Sequence, residues 1–197
     1  MATSRDNKTI SDFKSRLLGG GARSNLFEVE LTTLPSSVTL PWQAERFSFL
    51  CKAAQMPAMT IANIDVPFRG RIFKVAGDRT IENWSITVIN DEDFLFRNAF
   101  EEWTQQIAAL DDNMGSTNPA SYMVNAKVYQ LGRGSSQAST TNAGDTNVVL
   151  KEYEFVDIFP ISVGAIDLSY ENSDQIEEYP VEFAVQSYRV NGAGTAG

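Results

Sequence analysis

A chain of 197 residues fits one domain long enough to bury a sizeable core, and 43% hydrophobic with 21% charged residues is the composition of a chain that folds. A formal net charge of −9 argues against a surface that grips phosphates through Lys and Arg, so sequence-specific nucleic-acid binding is not expected. The absence of histidine and the single cysteine, Cys51, remove the usual hydrolytic triads, zinc sites and intramolecular disulfides.

Residues 1–23 are polar and end in Gly19-Gly20-Gly21, so a mobile arm is expected, with a short helix around Ile10 to Leu18. The stretch Met1 to Lys14 lacks the apolar core of a signal peptide, and no apolar run reaches the roughly eighteen residues of a membrane span. From Asn25 the pattern turns to period two: Phe27, Val29 and Leu31 alternate with Glu28, Glu30 and Thr32, the mark of a half-buried strand. Phe47 to Ala53, Asn63 to Phe68, Arg71 to Ala76 and Trp84 to Ile89 are short and rich in β-branched or aromatic residues, and predict further strands. Arg69-Gly70 predicts a hairpin turn, and Cys51 reads as a small hydrophobe closing the run from Phe47.

Between Asp91 and Leu110 the period changes. Phe96, Phe100, Trp103, Ile107 and Leu110 recur at steps of four and three, the stripe of an amphipathic helix lying on a sheet. Asn90 or Asp91 is the expected cap, and Glu92 and Asp93 complement the positive helix end, which accounts for the acidic cluster without a metal. Tyr122 to Leu131, Val148 to Phe159, Ala165 to Tyr170 and Tyr179 to Val190 then predict strands, with Pro160 and Gly164 turning the chain. Residues 132–147 are Gly, Ser, Thr, Asn and Ala with few apolar side chains, a long exposed loop. The expected organisation is an arm over 1–23, a domain over 24–190 carrying the loop insertion 132–147, and a tail over 191–197.

No catalytic, cofactor-binding or metal-ligating set emerges. Carboxylate pairs are numerous, and nothing selects one for glycoside hydrolysis. Gly19 to Gly21 lacks the Lys and Ser or Thr of a phosphate loop, and Gly132 to Gly134 precedes no helix pattern. Phe68-Arg69-Gly70-Arg71-Ile72-Phe73-Lys74 interleaves aromatic and basic residues as a single-strand binding stripe does. The preferred reading is a charged hairpin on solvent or in a multisubunit interface.

Val75-Ala76-Gly77-Asp78-Arg79-Thr80, followed by Trp84, Val88, Asn90-Asp91-Glu92, Phe100 and Trp103, resembles the central signature of the T4-type phage tail tube protein family. Asn25 to Val29 and Cys51-Lys52-Ala53 with Pro57 resemble its first strands. Lys151-Glu152, Pro160, Val163-Gly164, Leu168, Ile176 and Val181 resemble its closing strands, so the resemblance spans residues 24–190. The longer arm, the extra residues from Thr33 to Arg46 and the loop 132–147 depart from the family pattern and read as surface insertions.

The resemblance implies a mainly β fold: an orthogonally packed β-sandwich or barrel with one flanking α-helix, forming an inter-subunit β-barrel in hexameric rings. It implies a structural role, not an enzymatic one, in the inner tube of a contractile phage tail. The implied partners are further copies of the chain, the tail sheath, and the baseplate and tape measure proteins. Viral double-stranded DNA passes through without sequence-specific binding, and no cofactor is implied. The implied location is the virion tail, assembled in the host cytoplasm. The tube of a contractile injection particle or type VI secretion system, which delivers proteins, is the alternative. By the same resemblance Gly77, Asp78, Arg79 and Thr80, with Arg69 and Arg71, are candidate assembly residues. Asp78 and Arg79 are expected in a loop after a hairpin, Arg79 in a salt bridge within that loop or between subunits. Phe27, Trp84, Phe100 and Trp103 are the expected core anchors.

Overall fold

The computed structural model describes residues 9–17, 21–133, 147–171 and 174–192. In chain order these form α1 (Ile10–Arg16), β1 (Phe27–Glu30), α2 (Ala44–Leu50), β2 (Cys51–Gln55), β3 (Met59–Phe68), β4 (Arg71–Ile81), β5 (Trp84–Ile89), α3 (Leu95–Ile107), β6 (Val124–Arg133), β7 (Asn147–Val163) and β8 (Glu178–Gly192). Six strands make one antiparallel sheet in the order β1-β6-β7-β8-β5-β2, and β3 and β4 pair with each other. Helix α2 packs on β1 and runs directly into β2, bridging the sheet's two edge strands so that it nearly closes into a barrel.

The fold is therefore mainly β with one long flanking helix, α3, as expected. α3 lays Phe96, Ala99, Phe100 and Trp103 against the sheet, following the period of 3.6. Below it Trp84 stacks on Phe155 at 4.7 Å between ring centroids, and Phe183 lies 5.9 Å from Phe100 and 6.0 Å from Trp103. Trp103 also donates its indole N–H to the Tyr122 carbonyl at 2.8 Å, whereas the equally large Trp84 finds no partner for its buried indole N–H among the described residues. Each such fully buried aromatic contributes about 1.5–3 kcal/mol relative to exposure.

Four expectations are corrected. Phe47 to Leu50 is helical, and the strand starts at Cys51. A short apolar run fits either geometry, and packing decides: Phe47 is buried against Trp42, Phe96 and Phe100, and Arg46 reaches Asp91 and Asp93. The segment Ala165 to Tyr170 forms no strand, because β7 already pairs with β8 from Val163↔Val181 onward, leaving it no ladder partner. Pro160 does not turn the chain; it sits inside β7 at a bulge. Helix α3 is shorter than its stripe: it stops at Ile107, and Leu110 is 91% exposed. The chain leaves the helix there because Ala109 N–H bonds the Met114 carbonyl, closing a tight turn.

The helix cap also differs. Phe94, at φ 52°, occupies the N-cap position, Asp93 accepts the Leu95 N–H at 3.1 Å, and Asn90 N–H extends the sheet by bonding the Glu177 carbonyl. Asp91 and Asp93 are turned toward the Arg46 guanidinium, which draws both carboxyls below their ordinary range. The Thr33 to Arg46 segment is fastened to α3 as well: Glu102 accepts from the N–H and hydroxyl of Thr39 at 3.0 and 2.7 Å, which lowers its carboxyl. Most of the expected loop 132–147, residues 1–8 and 18–20 of the arm, with Leu18 of its expected helix and Gly19 and Gly20 of the glycine run, and residues 193–197 of the tail lie outside the described residues.

Candidate assembly surface

The β3–β4 hairpin projects from the sheet between β2 and β5. Its turn is Arg69-Gly70, with φ 47° and 81°, the two consecutive left-handed residues that a tight two-residue hairpin needs. Every residue of β3 is exposed, and so is nearly all of β4. Paired residues of antiparallel strands share a face, so the register sorts the side chains. One face carries Ile64 opposite Val75, Val66 opposite Phe73, and Phe68 opposite Arg71; the other carries Asn63 opposite Ala76, Asp65 opposite Lys74 and, next to the turn, Pro67 opposite Ile72. The first face is an apolar strip, with Ile64 54%, Val66 43%, Phe68 65%, Phe73 67% and Val75 41% exposed.

All six candidate assembly residues lie on this hairpin. Arg69 is at the turn, with its guanidinium 5.3 Å from the Phe68 ring centroid, and Arg71 opens β4. Asp78 and Arg79 are not in a loop after the hairpin but within β4, where Arg79 stands opposite Ile61 and Thr80 opposite Thr60. Between Ile61↔Arg79 and Asn63↔Ala76 the register shifts, because β4 fits an extra residue at Gly77-Asp78. Gly77 suits this spot: a Cβ there would lie 3.1 Å from the Ala62 carbonyl oxygen and 3.3 Å from Ile64 Cγ1. Among the described residues, no carboxylate forms an ion pair with Arg69, Arg71, Lys74 or Arg79.

Sequence reasoning singled out the charges of this hairpin and missed its strip. The signal was present as the alternation Ile64-Val66-Phe68, answered by Phe73-Val75 across the turn. Such alternation also fits a strand half-buried in its own domain, and only the three-dimensional arrangement shows that no described residue of this domain covers it. Of the expected anchors, Trp84, Phe100 and Trp103 are fully buried, and Phe27 is partly buried against the core.

The rest of the molecule offers little chemistry. Cys51 is buried, which pushes its thiol up to about 12. Among the described residues no group of three or more His, Cys, Asp or Glu is placed to hold a metal, and no helix is long and apolar enough to cross a membrane.

A packed β core that projects an amphipathic hairpin, uncovered by any described residue, defines a subunit built for assembly. A family model for phage tail tube proteins matches residues 22–191, and this chain belongs to that family. The tail tube protein gp19 of Enterobacteria phage T4 is 33% identical over 167 residues, covering 85% of this chain and 90% of that protein. The tail tube protein of Serratia phage KSP90 is 25% identical over 173 residues, covering 87% and 90%. Among solved structures, a chain of the anti-feeding prophage baseplate, 6-fold symmetrised, superposes with TM-score 0.61 at 13% identity, covering 89% of this chain and 98% of that one. A chain of an extracellular contractile injection system, in its extended sheath–tube complex, gives TM-score 0.54 at 12% identity, covering 94% and 99%.

Proposed function

We propose that this chain is the subunit of the inner tail tube of a contractile-tailed phage, closing into hexameric rings that stack into a conduit for viral DNA. The observation that carries the reading is the apolar strip on a hairpin that the described residues of its own domain leave uncovered, in a chain that matches tail tube proteins over most of its length. Lateral joining of copies covers the strip and satisfies the free edges of β3 and β4, which otherwise present unpaired backbone groups. Gly77 holds the bulge that aims the strand, and Arg79 pairs with a carboxylate of a neighbouring copy. A net charge of −9 leaves the assembled wall without attraction for phosphates, so DNA slides through unbound.

The sheath, the baseplate and the tape measure protein are the expected partners, with assembly in the host cytoplasm and residence in the virion tail. The relatives that match at 25–33% identity are phage tail proteins, whereas the chains from injection particles match at 12–17% in fold alone, which favours a phage tail over a protein-delivering tube. Negative-stain electron microscopy of concentrated protein tests the reading. Rings or tubes of uniform width are expected. A monomer at every concentration, together with no labelling of tails by an antibody to this chain, refutes it.

A further inference from the structure

The segment between β7 and β8 leaves the sheet after Val163 and returns at Glu178. Among its described residues it exposes Leu168 (79%) and Ile176 (71%) and carries Asp167, Glu171, Asp174 and Glu177. It walls a recess of about 750 Å³, lined by Lys52, Asp167, Leu168, Asp174, Ile176 and Glu177 among others. The lysine is already occupied, donating to Glu178 at 2.5 Å, and Glu177 accepts only from the neutral Asn90 amide at 2.9 Å, so among the described residues the recess presents negative charge with no free cation, beside apolar side chains.

The hairpin tip has the matching character. Phe68, Ile72 and Phe73 are 64–67% exposed, and Arg69, Arg71 and Lys74 have no ion-pair partner among the described residues. The two surfaces lie at opposite ends of the β2–β5 pair. The hairpin springs from the end where Gln55 meets Ser85, and the recess opens at the end where Cys51 meets Val88 and Ile89 meets Glu178. At about 3.3 Å per residue, the four steps from Cys51 to Gln55 put those ends roughly 13 Å apart.

We infer that the hairpin tip of one copy seats in the acidic recess of the next, a head-to-tail contact deepening the tube reading on which it rests. Opposite charges steer and orient the encounter while Phe68 and Ile72 cover Leu168 and Ile176. A second copy is the occupant because each chain carries one tip and one recess of opposite sign at opposite ends. Such a heterologous pairing repeats from copy to copy without using up either surface.

Charge exchange tests the contact in the full chain. Three variants are needed: Arg69→Glu with Arg71→Glu, Asp167→Arg with Asp174→Arg, and the combination of all four. These positions are exposed, and thermal melts of dilute protein check that each variant folds. Each two-site variant is expected to raise the concentration needed for rings or tubes at least about tenfold. The four-site variant restores assembly, and wild-type assembly weakens as salt rises. If the two-site variants assemble like wild type, or the four-site variant assembles no better than its parents, the contact is overturned while the tube reading stands. If wild-type protein forms no rings or tubes at any concentration and an antibody to it labels no tails, the tube reading falls and the contact falls with it.

Discussion

Phe73 offers the sharpest separation between folding and assembly. It stands opposite Val66 on the strip and is 67% exposed in the isolated subunit. A Phe side chain presents about 200 Å², so roughly 130 Å² of it faces solvent. Covering all of that on assembly stabilises each contact by about 3 kcal/mol at 25 cal/mol per Å². Imperfect covering and side-chain ordering reduce this to about 2 kcal/mol, or about thirtyfold in association. Phe73→Thr, which keeps a strand-forming residue, should therefore leave the urea midpoint of dilute protein unchanged within about 0.5 kcal/mol. It should raise the concentration for ring or tube formation, followed by sedimentation velocity, about thirtyfold. A comparable loss in the urea melt shows that Phe73 packs within its own subunit, and an unchanged assembly threshold shows that nothing covers the strip; either result refutes the reasoning.

Arg79→Glu should give a folded subunit of normal thermal stability that assembles poorly; normal tube yield in micrographs removes Arg79 from the interface. Gly115→Ala should destabilise the isolated subunit by at least about 2 kcal/mol in urea melts, since its Cβ would fall 1.9 Å from the Ile107 carbonyl oxygen and the turn that ends α3 must open. Acid should unfold the protein partly through Asp91, Asp93 and Glu102, whose folded carboxyls titrate below their ordinary values. Their stabilisation is fully present above the unfolded-chain values, about 3.9 for Asp and 4.3 for Glu, and is lost as pH falls through the lower folded values. Arg46→Met removes the partner of both aspartates, so its stability should fall less steeply than wild type in that acid range when melts are compared pH by pH.

What could be read from the sequence was whatever depends on contacts within a strand or a helix. Phe27, Val29 and Leu31 alternate, and β1 is there; Phe96, Phe100 and Trp103 step by four and three, and α3 is there. Errors arose where a distant partner decided. Phe47 became helical because Trp42, Phe96 and Phe100 receive it on that geometry. Ala165 to Tyr170 kept a strand-like composition and found no strand to pair with, because β7 and β8 had closed on each other. Asp91 looked like a cap and instead holds Arg46, a residue 45 positions earlier. The hairpin was legible as two strands and a turn. Its exposure was not, since an apolar strip reads alike in sequence whether its own domain or a neighbour covers it.

That same strip raises a question of restraint, because an exposed apolar two-stranded ribbon is a template for indiscriminate edge pairing. The hairpin answers it with features on its edges and its other face. Pro67, next to the tip, removes one backbone donor from β3, and the extra residue at Gly77-Asp78 twists β4 out of register with any straight strand laid beside it. Asp65 opposite Lys74 and the nearby Arg79 charge the face that the strip does not occupy, so a copy stacked in the wrong orientation meets unpaired charge. In the proposed assembly the apolar side chains supply the free energy of association. The proline, the bulge and the charges decide which of the many ways of covering them is taken. Removing those restraints should leave affinity high and order low: Pro67→Val with Lys74→Val is expected to convert uniform tubes into irregular aggregates. A variant that still gave tubes of wild-type width would show that the order of the assembly comes from another surface.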